Sequence, residues 1–122
     1  MKINVENIKK ANDALTNVGI VKNGQYSKEM SGYISSFGAS IVQSGLLATL
    51  IFYGNTESEA KERHKVVEAI DYIVLGEFKA KENLLATKMI KEKSTNDKEL
   101  LNKVTDAAVA LKLALRMYNK KS

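Results

Sequence analysis

Apolar residues recur along this chain at helical spacing, broken by glycine and by short polar runs. Ile8, Ala11, Leu15 and Val18 step by three, four and three, with Lys9, Lys10, Asn12, Asp13 and Thr16 on the other faces. That pattern predicts an amphipathic helix, and Gly19 with Lys22-Asn23-Gly24 predicts the connection after it. Ser27 suits an N-cap, with Glu29 in the first turn of a second helix on which Met30, Ile34, Phe37 and Ile41 share a face. Gly45 then punctuates the chain before LLATLIFY. Alone this run reads as a strand, but no second strand-like run exists to pair with it. It is therefore expected as a short, central, mostly buried helix ending at Gly54-Asn55.

Thr56 and Glu59 have the spacing of a capping box, which predicts a helix start there. Ala60, His64, Val67, Ile70 and Val74 would line its inner face up to Gly76. Phe78, Leu85 and Met89, flanked by Leu84, Ala86 and Ile90, suggest a further helix across GEFKAKENLLATKMIKEK. Ser94 to Asp97 is a polar break in which Asn96 is the expected cap of the last helix. There Leu101, Val104, Ala108, Leu111, Leu115 and Tyr118 alternate steps of three and four, a core-facing stripe. With no repeat and no long linker, the expectation is a single domain over residues 1–122. Its fold class is all-α, a compact bundle of about five to six helices.

Charge is distributed unevenly. From Met30 to Thr56 there is no acidic or basic residue and no histidine, whereas the rest of the chain is densely charged. Nine serines, glycines and glutamines interrupt this run before Leu46, and only Leu46 to Tyr53 is continuously apolar. That is too short for a membrane span, which needs about twenty residues. Opposite the apolar face of the second helix lie Ser31, Ser35 and Gly38. Small residues let another backbone approach closely. They are thus subunit-contact candidates, or else the second buried side of a helix enclosed within its own domain.

The absence of proline and the abundance of Ala, Leu, Lys and Glu reinforce the helical reading. The absence of cysteine excludes disulfides and thiolate metal sites and suits a cytoplasmic location, and the N-terminus lacks the apolar stretch of a signal peptide. A net charge of +5 suits a polyanionic partner.

Catalytic chemistry is scarcely represented. The single histidine, His64, falls on an apolar helix face and is expected to be structural. Glu68 and Asp71 stand one turn apart, and surface solvation is the expected role of both. No metal-binding, phosphate-loop or nucleophile-elbow motif is present, so neither enzyme activity nor a cofactor nor a metal is expected. The cations carry more information. After Asp106 the chain has no acid, and Lys112, Arg116 and Lys120 recur every fourth residue, a stripe that can track a phosphate backbone. Complementing the helix dipole is the alternative. Lys61, Arg63 and Lys65 form a second group, and Lys79, Lys81, Lys88, Lys91 and Lys93 a third. Aromatic residues do not interleave with them, so base stacking is not indicated.

The segment YSKEMSGYISSFGASIVQSGLLATLIFYG, Tyr26 to Gly54, resembles the signature of the small helical subunit of type III-B CRISPR effector complexes. The matching positions are Tyr26, Ile41, Gly45-Leu46 and the apolar run through Tyr53, and TDAAVALKLALRMYNKK is similar to that family's closing helix. The resemblance implies a non-enzymatic subunit that stacks in several copies beside the backbone subunits of an RNA-guided ribonucleoprotein. It implies as partners the backbone and large subunits, neighbouring copies of the chain, and guide and target RNA. One position departs: where relatives carry a cation before the glycine–leucine step, Val42-Gln43-Ser44 is uncharged. RNA contacts are then expected from Lys61, Arg63, Lys65, Lys112, Arg116 and Lys120. The uncharged run would form a central hairpin with its serine–glycine side against a neighbour, because unpaired buried charge is costly. A protein-only helical adaptor without RNA binding is the alternative function.

Overall fold

Helices begin and end in this chain where a side chain or a glycine satisfies free backbone groups. The computed structural model describes residues 4–93 and 97–122. Among these residues the elements are α1 (Val5–Val18), β1 (Gln25–Tyr26), α2 (Lys28–Ser44), α3 (Leu46–Gly54), α4 (His64–Leu75), α5 (Leu84–Glu92), α6 (Lys98–Leu115) and β2 (Asn119–Lys120). The all-α expectation holds. Asn4, Ser27, Asn83 and Asp97 cap α1, α2, α5 and α6 by accepting a backbone N–H three residues ahead. Asp97 thus performs the role expected of Asn96, which lies outside the described residues. Gly19 and Gly76 close α1 and α4 in the left-handed conformation.

The uncharged run folds back on itself. Gly45 sits at φ 89° and ψ 164°, a region essentially reserved for glycine. The turn there lays α3 antiparallel along α2. The seam is polar on one side, with Ser40 Oγ and Thr49 Oγ1 3.0 Å apart and Ser36 Oγ 2.8 Å from the Tyr53 hydroxyl. On the other side the Tyr53 ring meets Phe37 edge-on at 5.0 Å. The hairpin expected from the sequence is present. Its second arm is less buried than expected, because only Leu46, Thr49, Leu50 and Tyr53 face inward, while Ala48, Ile51 and Phe52 face out.

Met30, Ile34, Phe37 and Ile41 are all buried, as are Val104, Ala108, Leu111 and Leu115, so α2 and α6 pack on their predicted stripes. Leu15 and Ala11 of α1 and Val66, Val67 and Ile70 of α4 complete the core.

Two predicted starts move. Residues 55–63 form turns instead of the helix that a capping box at Thr56 would begin. Asn55 Oδ1 accepts from Glu57 N and Ser58 Oγ from Ala60 N, and these local bonds compete with helix. Likewise 76–83 is irregular, and α5 is confined to its second half. Tyr118 lies beyond α6, where its hydroxyl donates to Asn12 Oδ1. The chain then pairs β2 with β1 in parallel, Gln25 with Asn119 and Tyr26 with Lys120. This small strand pair has no counterpart in the hydrophobic pattern.

Candidate interaction surfaces and the buried polar cluster

The acids expected on the surface are in the core. Glu68 is 2% exposed and Asp71 fully buried, both on α4. Glu68 accepts from the His64 imidazole and from Lys81 N. Asp71 accepts from Leu84 N at 3.0 Å and Leu85 N at 3.2 Å, holding the first turn of α5 beside the Asn83 cap. Asn83 in turn donates to Leu50 O at 2.7 Å and sits against Gly54, where a Cβ would collide with it. Burial raises the Asp71 pKa to about 7, opposed by the two N–H donors and assisted by the Glu68 charge. His64 is structural, as expected. Together these side chains fasten the irregular segment 76–83 and α5 to α4. The carboxylates align with the inner face of α4, and that phase was the available signal.

The cations divide by element. Lys61 is exposed. Arg63 donates to Phe52 O and Ser58 Oγ, and its guanidinium lies 4.1 Å from the centre of the Phe52 ring. Lys65 pairs with Glu62, holding that carboxyl below its ordinary pKa, and donates to Gly19 O. Lys112 and Arg116 lie elsewhere, on α6 facing the start of α2. There they line one small pocket of about 170 Å³ with Tyr26, Ser31, Ile34, Ser35 and Leu115. Lys120 is not on the α6 stripe, because the helix has ended; β pairing sets it beside Tyr26 instead. Ser31 and Ser35 therefore meet cations, whereas Gly38 lies outside that pocket, with no atom within 4 Å of where a Cβ would stand.

At the opposite end of the α2–α6 pair the surface is apolar. Val42, Leu46, Met89 and Leu101 line a groove of about 610 Å³. A second hollow, about 750 Å³, runs over Ala48, Ile51, Phe52, Ala86 and Ile90. Val42 is 86% exposed, and Ile51, Phe52 and Ile90 are each more than half exposed. Sequence periodicity missed this face because it assigned the apolar run of α3 wholly to the core. Among the described residues, no helix is long and apolar enough to cross a membrane.

A protein-family model described as CRISPR-associated protein (Cas_Cmr5) matches residues 6–118. The chain belongs to the Cas_Cmr5 family. Members of Cas_Cmr5 are type III-B CRISPR subunits, small and structural, and not known enzymes. The match spans α1 through α6, so it covers both the apolar face and the α2–α6 pocket. Membership of Cas_Cmr5 implies other Cas subunits as partners. Comparison with curated proteins and with solved structures gave no match.

Proposed function

We propose that the chain is a non-catalytic brace within a type III-B CRISPR RNA-guided ribonucleoprotein. It stacks beside the backbone subunits and neighbouring copies, and presents cations along the guide–target RNA. The observation that carries this reading is the separation of two surfaces on one small chain. The apolar face over α3 and α5 suits contact with a neighbouring protein subunit, since exposed apolar patches of this kind mark interaction sites. The α6 end, free of acids after Asp106, suits a phosphate backbone. Lys61, Lys112, Arg116 and Lys120 are the cations that would make such contacts. Arg63 and Lys65 contribute less, because their charged heads are engaged within the chain. A non-catalytic role is supported by the fate of the only histidine, which is committed to Glu68.

The test is a tagged pull-down from the native cell at moderate salt, with analysis of proteins and bound RNA. Recovery of a large nucleotide-cyclising subunit, repeated backbone subunits and short RNAs sharing a 5′ segment is expected. Recovery of one unrelated protein and no RNA would replace the reading with that of a protein-only adaptor.

A further inference from the structure

Four serines of α2 divide into two pairs. Ser36 and Ser40 turn toward α3 and are bonded there. Ser31 and Ser35 share the face toward α6. Among the described residues neither of their hydroxyls has a hydrogen-bond partner, and neither Lys112 nor Arg116 has a carboxylate partner. All four groups line the same pocket, and no acid lines it.

We propose that this pocket seats one phosphodiester group of an RNA strand, held by Ser31, Ser35, Lys112 and Arg116. The inference rests on the RNA-bracing reading above and assigns it a specific site. Ser31 and Ser35 are thereby ligand groups and not a subunit contact. Volume limits the ligand. At about 170 Å³ the pocket is smaller than the roughly 300–1,000 Å³ of drug-sized ligand sites, so a small oxyanion fits and a whole nucleotide does not. The donor set selects charge and shape. Two hydroxyls four residues apart face two cations four residues apart, and together they offer hydrogen bonds to several oxygens of a tetrahedral anion. Ile34 and Leu115 complete the lining and lower the local dielectric, which strengthens the pairing. Tyr26 stands at the edge, with Lys120 paired beside it in the strand bridge. Complementing the α6 dipole accounts for the cations but leaves the unbonded serines facing them without a role.

Two measurements on the full chain test the proposal. In the first, inorganic phosphate is titrated into isotope-labelled protein. The amides of Ser31, Ser35 and Arg116 should shift together, and single-stranded RNA should displace the ion. In the second, RNA anisotropy is followed across a salt series. Lys112→Gln with Arg116→Gln should weaken binding and flatten the log–log slope by about 1.4, at about 0.7 per lost phosphate contact. Ser31→Ala with Ser35→Ala should weaken binding about tenfold while leaving the slope unchanged, because a hydroxyl releases no counterion. Ser31→Thr with Ser35→Thr keeps both hydroxyls and should restore affinity. Lys91→Gln, on α5, should bind like the parent chain.

Serine variants that bind as tightly as the parent, while the cation variant does not, would overturn the pocket and leave the RNA reading standing. A parent chain with no salt-dependent RNA affinity would overturn both. Phosphate shifts without any RNA competition would reassign the pocket to the free ion and end the phosphodiester proposal.

Discussion

The two ends of the α2–α6 pair are made from the same two helices and present opposite chemistry. Where α2 begins and α6 ends, Ser31, Ser35, Lys112 and Arg116 surround a small polar pocket. Where α2 ends and α6 begins, Val42, Leu46 and Leu101 border an apolar groove. Antiparallel packing produces this arrangement, because it brings the serine-bearing start of α2 to the acid-free end of α6. The difference teaches that neither helix alone defines a surface. Each surface arises from which end of the partner it meets. The supports differ too. The polar end rests on continuous helix and a strand bridge, whereas the apolar end depends on α5, a short helix held by buried side chains of α4.

That asymmetry of support can be broken by substitution. On stability, Asp71→Ala should have the largest effect, about 3 kcal/mol or more. It leaves two buried N–H groups of α5 without an acceptor. Thermal unfolding measures the loss, and hydrogen exchange should show α5 amides deprotected before those of α2. Gly45→Ala should cost about 1–3 kcal/mol, because an L residue is strained at that backbone conformation. Denaturant unfolding checks it, and the loss should affect both ends, since the hairpin underlies each.

A pH series sharpens the comparison without changing the fold. Burial lifts the Asp71 pKa from 3.8 to about 7. Between those values the folded chain retains a proton that the unfolded chain has released. Its contribution to stability therefore falls as pH rises through the window and is level above it. Asp71→Asn should remove that fall, as read from unfolding midpoints at matched pH values.

The smallest effect on stability is expected from Ile51→Gln with Ile90→Gln, within about 0.5 kcal/mol, because both side chains are mostly in solvent. Recovery of other Cas subunits by the tagged variant should nevertheless collapse while RNA affinity persists. Unchanged recovery would remove the apolar face from the assembly reading.

Much of this fold was legible in the sequence because its core helices are strictly periodic. The stripes on α2 and α6, the cap at Ser27, the stops at Gly19 and Gly76 and the hairpin at Gly45 follow from local rules. The differences come from longer-range competition. Thr56 and Glu59 match a capping box, but Asn55 and Ser58 close their own turns first. Glu68 and Asp71 look like surface acids until the backbone of residues 81–85, whose N–H groups they accept, folds over them. The cationic stripe ends early because the chain leaves α6 at Arg116 to form a strand pair that no hydrophobic alternation announces. Of the candidate contacts, only the set on α2 and α6 converges, and that convergence depends on helix direction, which spacing alone does not encode.

The bridge between β1 and β2 also sets an order of events during synthesis. Tyr26 leaves the ribosome early, but its neighbour Lys120 follows only after all six helices have been made. Lys112 and Arg116 likewise arrive in the last helix. A nascent or truncated chain can bury much of its core and still lack the polar pocket. Premature capture of nucleic acid at that site is thereby avoided, since the site exists only once the whole bundle has been translated and closed.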